Sequence, residues 1–119
     1  MDNYQIIENK LVIQFEPYNE VEEFAVFCHK LLETEHDDLF IYFSDKVFFI
    51  NSQYVGVLMM TVAGAKMKGK VLTISCTKRL GRMLCIIGGA KLKFDLREDL
   101  IEDVNSPDFS CNDDNLPLI

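Results

Sequence analysis

Short apolar runs alternate along this chain with segments of helical periodicity, and this alternation constrains the fold more than any other feature. The strand-like segments are residues 4–9, 10–15, 39–43, 71–76 and 92–96. The first two flank a tight turn at residues 8–10 and predict a hairpin. The later runs are continuously apolar, as in strands that are covered on both faces, and residues 47–50 are expected to continue the third.

Three helices are predicted between these strands, and a short fourth one after the last. The first helix follows Pro17 and ends near His36. The second runs from Ser52 to about Met67 and is ended by Gly69. The third begins after Thr77, which is expected to be its N-cap. The order predicts an α/β fold with a mainly parallel sheet of about five strands, an antiparallel edge from the hairpin and three to four helices. We expect one domain over residues 1–104 and a flexible acidic tail over residues 105–119.

The charge of the chain is unevenly distributed. Of 119 residues 49% are hydrophobic, enough for one core, and the net charge is −7. Eight basic and no acidic residues lie from Lys66 to Lys93, whereas the rest of the chain is acidic. This distribution is not that of a nucleic-acid binder, so no nucleic-acid partner is expected. It fits docking onto a charged protein, folding back of the acidic tail, or chance clustering on a solvated surface.

Neither a membrane span nor a metal or catalytic site is predicted. The longest apolar candidate for a span is interrupted by Gly64, Lys66 and Lys68. Four cysteines, at positions 28, 76, 85 and 111, have no paired metal-ligand spacing, and we interpret the first three as reduced core residues of a cytoplasmic protein. No nucleophile–base pair or paired carboxylates are recognisable, so no enzyme activity, cofactor or metal is expected.

The junction of a strand and a helix at residues 51–56 carries the main functional signal. Ser52 stands where the second helix begins, and helix starts offer unpaired N–H groups and a positive dipole end. Asn51 or Ser52 would cap the helix, which needs no partner. Alternatively, Ser52 is a phosphorylation site, because these same groups stabilise a phosphate.

The outer face of the second helix is unusually small and apolar. With Tyr54, Val55 and Leu58 directed to the core, the opposite side carries Gln53, Gly56, Val57, Met60, Gly64 and Met67. A solvated face would carry charged residues, and methionine suits irregular partner surfaces. We therefore predict a partner-binding site at Asn51, Ser52, Gln53, Gly56, Val57, Met60 and Gly64, with burial under the C-terminal segment as the alternative.

The element order and the junction together resemble the STAS domain, the fold of anti-sigma factor antagonists. The family's marker is an Asp-Ser-Ser/Ala-Gly-Leu-Gly type turn that opens a helix; this chain has Asn51-Ser52-Gln53-Tyr54-Val55-Gly56. Ser52 falls on the phosphorylatable position, and Val55 and Gly56 match the small apolar pair. Asn51 replaces the aspartate, and the acidic residue after the second strand has no clear counterpart in residues 15–19. The resemblance covers residues 4–96, including the glycine before the strand at residue 71.

The resemblance implies a regulatory binding module that docks onto an anti-sigma factor or a related serine kinase or ATPase through the Ser52 junction and the second helix. Phosphorylation of Ser52 would be the off signal. Two alternatives stay open. One is a non-phosphorylated STAS adaptor subunit of a transporter or stressosome-like complex, and the other is a STAS domain that binds a small molecule or lipid.

Overall fold

Over the residues that the structure describes, the alternation of the sequence folds into a five-stranded sheet with three helices. A computed structural model describes residues 3–88 and 92–98. The strands are β1 (Tyr4–Ile7), β2 (Lys10–Ile13), β3 (Asp38–Phe43), β4 (Val71–Thr77) and β5 (Lys93–Arg97). The helices are α1 (Val21–Leu32), α2 (Ser52–Met67) and α3 (Lys78–Gly88). The predicted fold class is thereby confirmed; the predicted fourth helix and the tail at 105–119 lie largely or wholly outside the described residues.

The strands lie in the sheet in the order in which they occur in the chain, β1-β2-β3-β4-β5. The hairpin pair is antiparallel, and the three other neighbouring pairs are parallel. Each helix is a crossover to the next strand in the same direction, and right-handed crossovers of this kind place all three helices on one face of the sheet. The start of every helix therefore follows the carboxyl end of a strand.

The hydrophobic core lies between the helices and this face of the sheet. Alternate residues of the central strands are fully buried, among them Leu11, Ile13, Leu39, Ile41, Phe43 and Ile74. From the helices, Phe24, Leu31, Leu58 and Leu80 are buried against them. The rings of Phe24 and Tyr54, whose centroids are 5.5 Å apart, join α1 to α2 within this core.

The segment 47–50 does not continue β3 as predicted. The backbone turns at Ser44, where the N–H of Val47 donates to the carbonyl of Ser44 at 3.1 Å, and the chain leaves the sheet. Val47 and Ile50 are nevertheless buried, at 0% and 1% exposure. These apolar residues therefore anchor a loop. The periodicity of so short an apolar run does not distinguish a buried loop from a short strand.

The start of α1 is stabilised by a residue of α2. Glu20 occupies the N-cap position and makes no side-chain capping hydrogen bond. Its own N–H donates instead to the hydroxyl of Tyr54 at 2.7 Å. Because Tyr54 lies in the first turn of α2, the starts of the two helices are joined by this hydrogen bond.

Candidate functional site

The first turn of α2 is capped by Asn51, not by Ser52. Asn51 has extended backbone angles, and its Oδ1 accepts hydrogen bonds from the N–H of Gln53 at 2.9 Å and of Tyr54 at 3.3 Å. Ser52 is the first helical residue and is exposed. Its hydroxyl makes no hydrogen bond to another of the described residues, so the capping role does not occupy it. The sequence had left open which residue caps the helix.

The loop before α2 is held from two sides. The N–H of Phe48 donates to Oε1 of Glu16, in the loop after β2, at 3.2 Å. The ring of Phe48 lies under the guanidinium of Arg79 in α3, 5.0 Å from Cζ to the ring centroid. Phe49, the residue that follows, is 57% exposed. Sequence reasoning missed this aromatic side chain, because residues 47–50 were assigned to a strand.

Most of the predicted partner-binding residues lie together on the outer side of α2. Asn51, Ser52, Gln53 and Gly56 are exposed, and Met60 is 75% exposed. A Cβ added at Gly56 would meet no atom within 4 Å, so packing in the described part of the chain does not require a glycine there. These five residues and Phe49 together define a surface that we call the docking patch.

The remaining two predicted residues are placed differently. Val57 is partly buried against the core. Gly64 lies toward α1, because a Cβ there would be 2.9 Å from Cδ1 of Leu32. Its small size is explained by the close approach of the two helices. Gly64 is therefore not part of the docking patch.

The sheet face opposite the helices carries a second row of side chains, most of them polar. Val12, Tyr42, Ser75 and Asp95 stand side by side in the register of β2 to β5. Arg97 crosses this row: its Nε donates to Asp45 at 3.0 Å, its terminal nitrogens donate to Ser75 and to the carbonyl of Phe43, and its Cζ lies 4.1 Å from the Tyr42 ring centroid. A cleft of about 260 Å³ lies here. Because Arg97 is paired with Asp45, Asp95 accepts from the Ser75 hydroxyl at 3.4 Å and Lys10 lies over the Tyr42 ring, we interpret the arrangement as structural.

The cysteines differ in oxidation state. Cys28 is buried beneath α2, and burial raises the pKa of its thiol to about 12, with a smaller opposite effect of the Thr61 hydroxyl. Cys28 and Cys76 are thiols, as expected. Cys85, predicted to be reduced, is instead disulfide-bonded. Apolar sequence neighbours indicate burial, but they do not show whether a second cysteine lies within reach.

Comparisons with known proteins bear on the fold. No family model matches the chain, and no curated protein matches it. The solved structures that resemble it include the NMR structure of the protein TM1081, with a TM-score of 0.59 and 14% identity over 84% of this chain and 82% of that one. A serine-to-glutamate variant of RsbS from Moorella thermoacetica gives a TM-score of 0.60 and 15% identity over 79% of this chain and 85% of that one. None of the helices in the described residues is long and apolar enough to cross a membrane. With its antiparallel hairpin, parallel strands and three helices, the chain has a STAS-like fold.

Proposed function

We propose that this protein is a regulatory protein-binding module resembling an anti-sigma factor antagonist, and that it docks its partner through the docking patch. The observation that carries the proposal is that Ser52 is exposed and does not cap the helix. This serine is exposed at the start of a helix that Asn51 already caps, three residues after the exposed Phe49 and about two turns before the exposed Met60. The likeness in fold to RsbS supports the same function.

The proposed partner is an anti-sigma factor or a related serine kinase or ATPase of the cytoplasm. Binding would sequester it, and phosphorylation of Ser52 would release it. A phosphate brings a charge of about −2. Oδ1 of Asn51 already accepts from the N–H groups of Gln53 and Tyr54. Because these two donors are occupied, the phosphate would face the partner instead of binding to the helix start. Desolvation and repulsion would then weaken docking.

A second candidate is a constitutive adaptor that is never phosphorylated. It is favoured by the absence of acidic residues from the first turn of α2 and by the uncharged Asn51. In this case the same patch would hold the protein permanently in a larger complex, such as a transporter complex or a stressosome-like assembly. The two candidates share the surface and differ only in the role of Ser52.

Paired methionine variants of α2 test the docking patch. Met60 lies in the patch, whereas Met67 lies at the far end of the same helix and is 89% exposed. We expect Met60→Glu to reduce affinity capture of the kinase or complex from native cells at least about tenfold, since a charge would be desolvated in the interface. Met67→Glu serves as the matched control and should capture as much as the wild type. Equal capture by both variants, each with wild-type thermal stability, would contradict the proposal.

Substitution of Ser52 separates the switch from the adaptor. If phosphorylation controls docking, Ser52→Glu should lose the captured partner and Ser52→Ala should retain it. Incubation of the wild type with the captured kinase and ATP should then add one phosphate, which mass spectrometry would assign to Ser52. A partner that is captured equally by both variants, with no phosphate found, would identify the adaptor.

A further inference from the structure

In the part of the chain that the structure describes, helices cover one face of the sheet and leave the opposite face uncovered. Parallel strands are normally covered on both faces, and β2 to β5 are parallel neighbours here. The uncovered side, which we call the open face, carries apolar side chains. Val12, Phe40 and Tyr42 are partly exposed near its centre, and Ile7 and Val71 are exposed to 51% and 43%. The open face is therefore suited to contact with another protein surface.

The strand register arranges the open face in two rows that cross the sheet. The row of Val12, Tyr42, Ser75 and Asp95 has a neighbouring row two residues earlier on each strand, which consists of Lys10, Phe40, Thr73 and Lys93. On β3 each row presents an aromatic ring, and on β5 one row presents a cation and the other an anion. Lys93 and Asp95 are both exposed, and neither forms a salt bridge with another of the described residues.

A surface with this arrangement is complementary to itself. A twofold axis that runs across the strands, midway between the two rows, places each row opposite the other row of a second copy. Lys93 then lies opposite Asp95 of the second copy, and Asp95 lies opposite its Lys93. On β3, Phe40 lies opposite Tyr42 of the second copy, which gives two aromatic pairs. One axis therefore matches the charges on β5 and the rings on β3 together.

A twofold axis that runs along the strands gives no such match. It places β5 opposite β1 of the second copy, so that Lys93 faces Ile7 and Asp95 faces Gln5. Both charges would then be desolvated without a partner of opposite sign. Charge complementarity therefore selects the axis across the strands.

We propose that two copies of this chain associate face to face through their open faces, about the twofold axis that runs across the strands. The open face measures about 20 by 15 Å from the spacing of strands and residues. This size is near the lower limit of specific interfaces, so the dimer is weak and exchanges with monomer. The docking patch belongs to α2 and the loop before it, on the helix side, and stays accessible. The inference does not depend on the proposed function.

Sedimentation of the full chain with reciprocal charge substitutions tests the dimer. From about 5 μM to about 1 mM, the wild type should change from the 13.7 kDa monomer to a dimer. Lys93→Asp and Asp95→Lys should each raise the dissociation constant at least about tenfold, because like charges then face each other. The double variant Lys93→Asp/Asp95→Lys should restore dimerisation. Lys66→Asp makes the same charge change at an exposed residue of α2 and should dimerise like the wild type.

A second measurement does not require Asp95→Lys to fold. The NMR signals of the Phe40 and Tyr42 rings should shift with concentration in the wild type and stay constant in Lys93→Asp. A wild type that is monomeric at every concentration would overturn the proposal. A dimer that Lys93→Asp leaves intact would place the contact on another surface and also overturn it. Failure of a folded double variant to recover dimerisation would overturn the assigned axis.

Discussion

Two glycines inside α2 illustrate how residues of the same type serve different purposes. Gly64 lets α1 approach closely, because Leu32 occupies the space that a side chain would need. Gly56 faces open space, and it lies on the exposed side of the helix next to Met60. An interior helix glycine costs about 1 kcal/mol relative to alanine. Among the described residues no contact offsets this cost at Gly56, which is consistent with close approach of a partner there.

Alanine at each of these glycines should separate the two roles. We expect Gly56→Ala to raise the free energy of unfolding by about 0.5–1 kcal/mol, because alanine is the better helix former and meets no other atom. Gly64→Ala should be less stable than Gly56→Ala by about 1 kcal/mol, since Leu32 must move to admit the new methyl group. Urea unfolding of both variants measures the difference. A Gly64→Ala protein as stable as Gly56→Ala would contradict the packing explanation.

At the scale of the element, two adjacent residues have different roles at the start of α2: one caps the helix and the other is exposed. Asn51 accepts two backbone hydrogen bonds, and Ser52 leaves its hydroxyl to solvent. This division makes a modification of Ser52 compatible with an intact helix. The same residue could not both cap the helix and carry a phosphate without changing its hydrogen bonds.

This division predicts unequal effects of two alanine substitutions. Asn51→Ala should lower the free energy of unfolding by about 1 kcal/mol, because the N–H groups of Gln53 and Tyr54 lose their acceptor. Ser52→Ala should change it by less than about 0.5 kcal/mol, since an exposed side chain without a capping role is replaced. Thermal or urea unfolding provides the comparison. The assignment of the cap would be wrong if Ser52→Ala were the more destabilising substitution.

The elements could largely be predicted from the sequence, because their signals are local. Periodicity, Gly69 after α2 and Thr77 before α3 set boundaries that the structure reproduces; Thr77 Oγ1 accepts from the N–H of Leu80 at 3.3 Å, and Gly69 has a φ of 71°. The exposure of Phe49, the position of Gly64 against Leu32 and the disulfide of Cys85 were not predictable. Each depends on which distant segment lies nearby, and the sequence pattern around the residue carries no information on that.

At the scale of the whole molecule, Arg97 ties the edge strand β5 to the centre of the sheet. Its guanidinium contacts side chains or backbone of Phe43, Asp45 and Ser75, which belong to β3, the following turn and β4. One side chain thereby adds contacts from the last described strand to β3 and to the turn that follows it, beyond the pairing of β5 with β4. Because the contacts are several and fixed in direction, a lysine cannot replace them.

Substitution of Arg97 should therefore lower the free energy of unfolding of the whole domain. We expect Arg97→Lys to lower the free energy of unfolding by about 1–3 kcal/mol, since the planar set of donors is lost while the charge is kept. Lys93→Arg is a control on the same strand, because residue 93 is exposed. Chemical unfolding of the three proteins tests this, and wild-type stability of Arg97→Lys would show that the contacts contribute little.

The order of the strands has a consequence for the kind of molecule that this fold can receive. In open α/β sheets, small ligands enter the crevice that forms where successive crossovers run in opposite directions from neighbouring strands. The described sheet runs from β1 to β5 without such a reversal. Its carboxyl edge therefore offers helix starts and loops in a continuous row, with a cavity of about 510 Å³ at the start of α1. A row of this kind is suited to recognition by a broad protein surface.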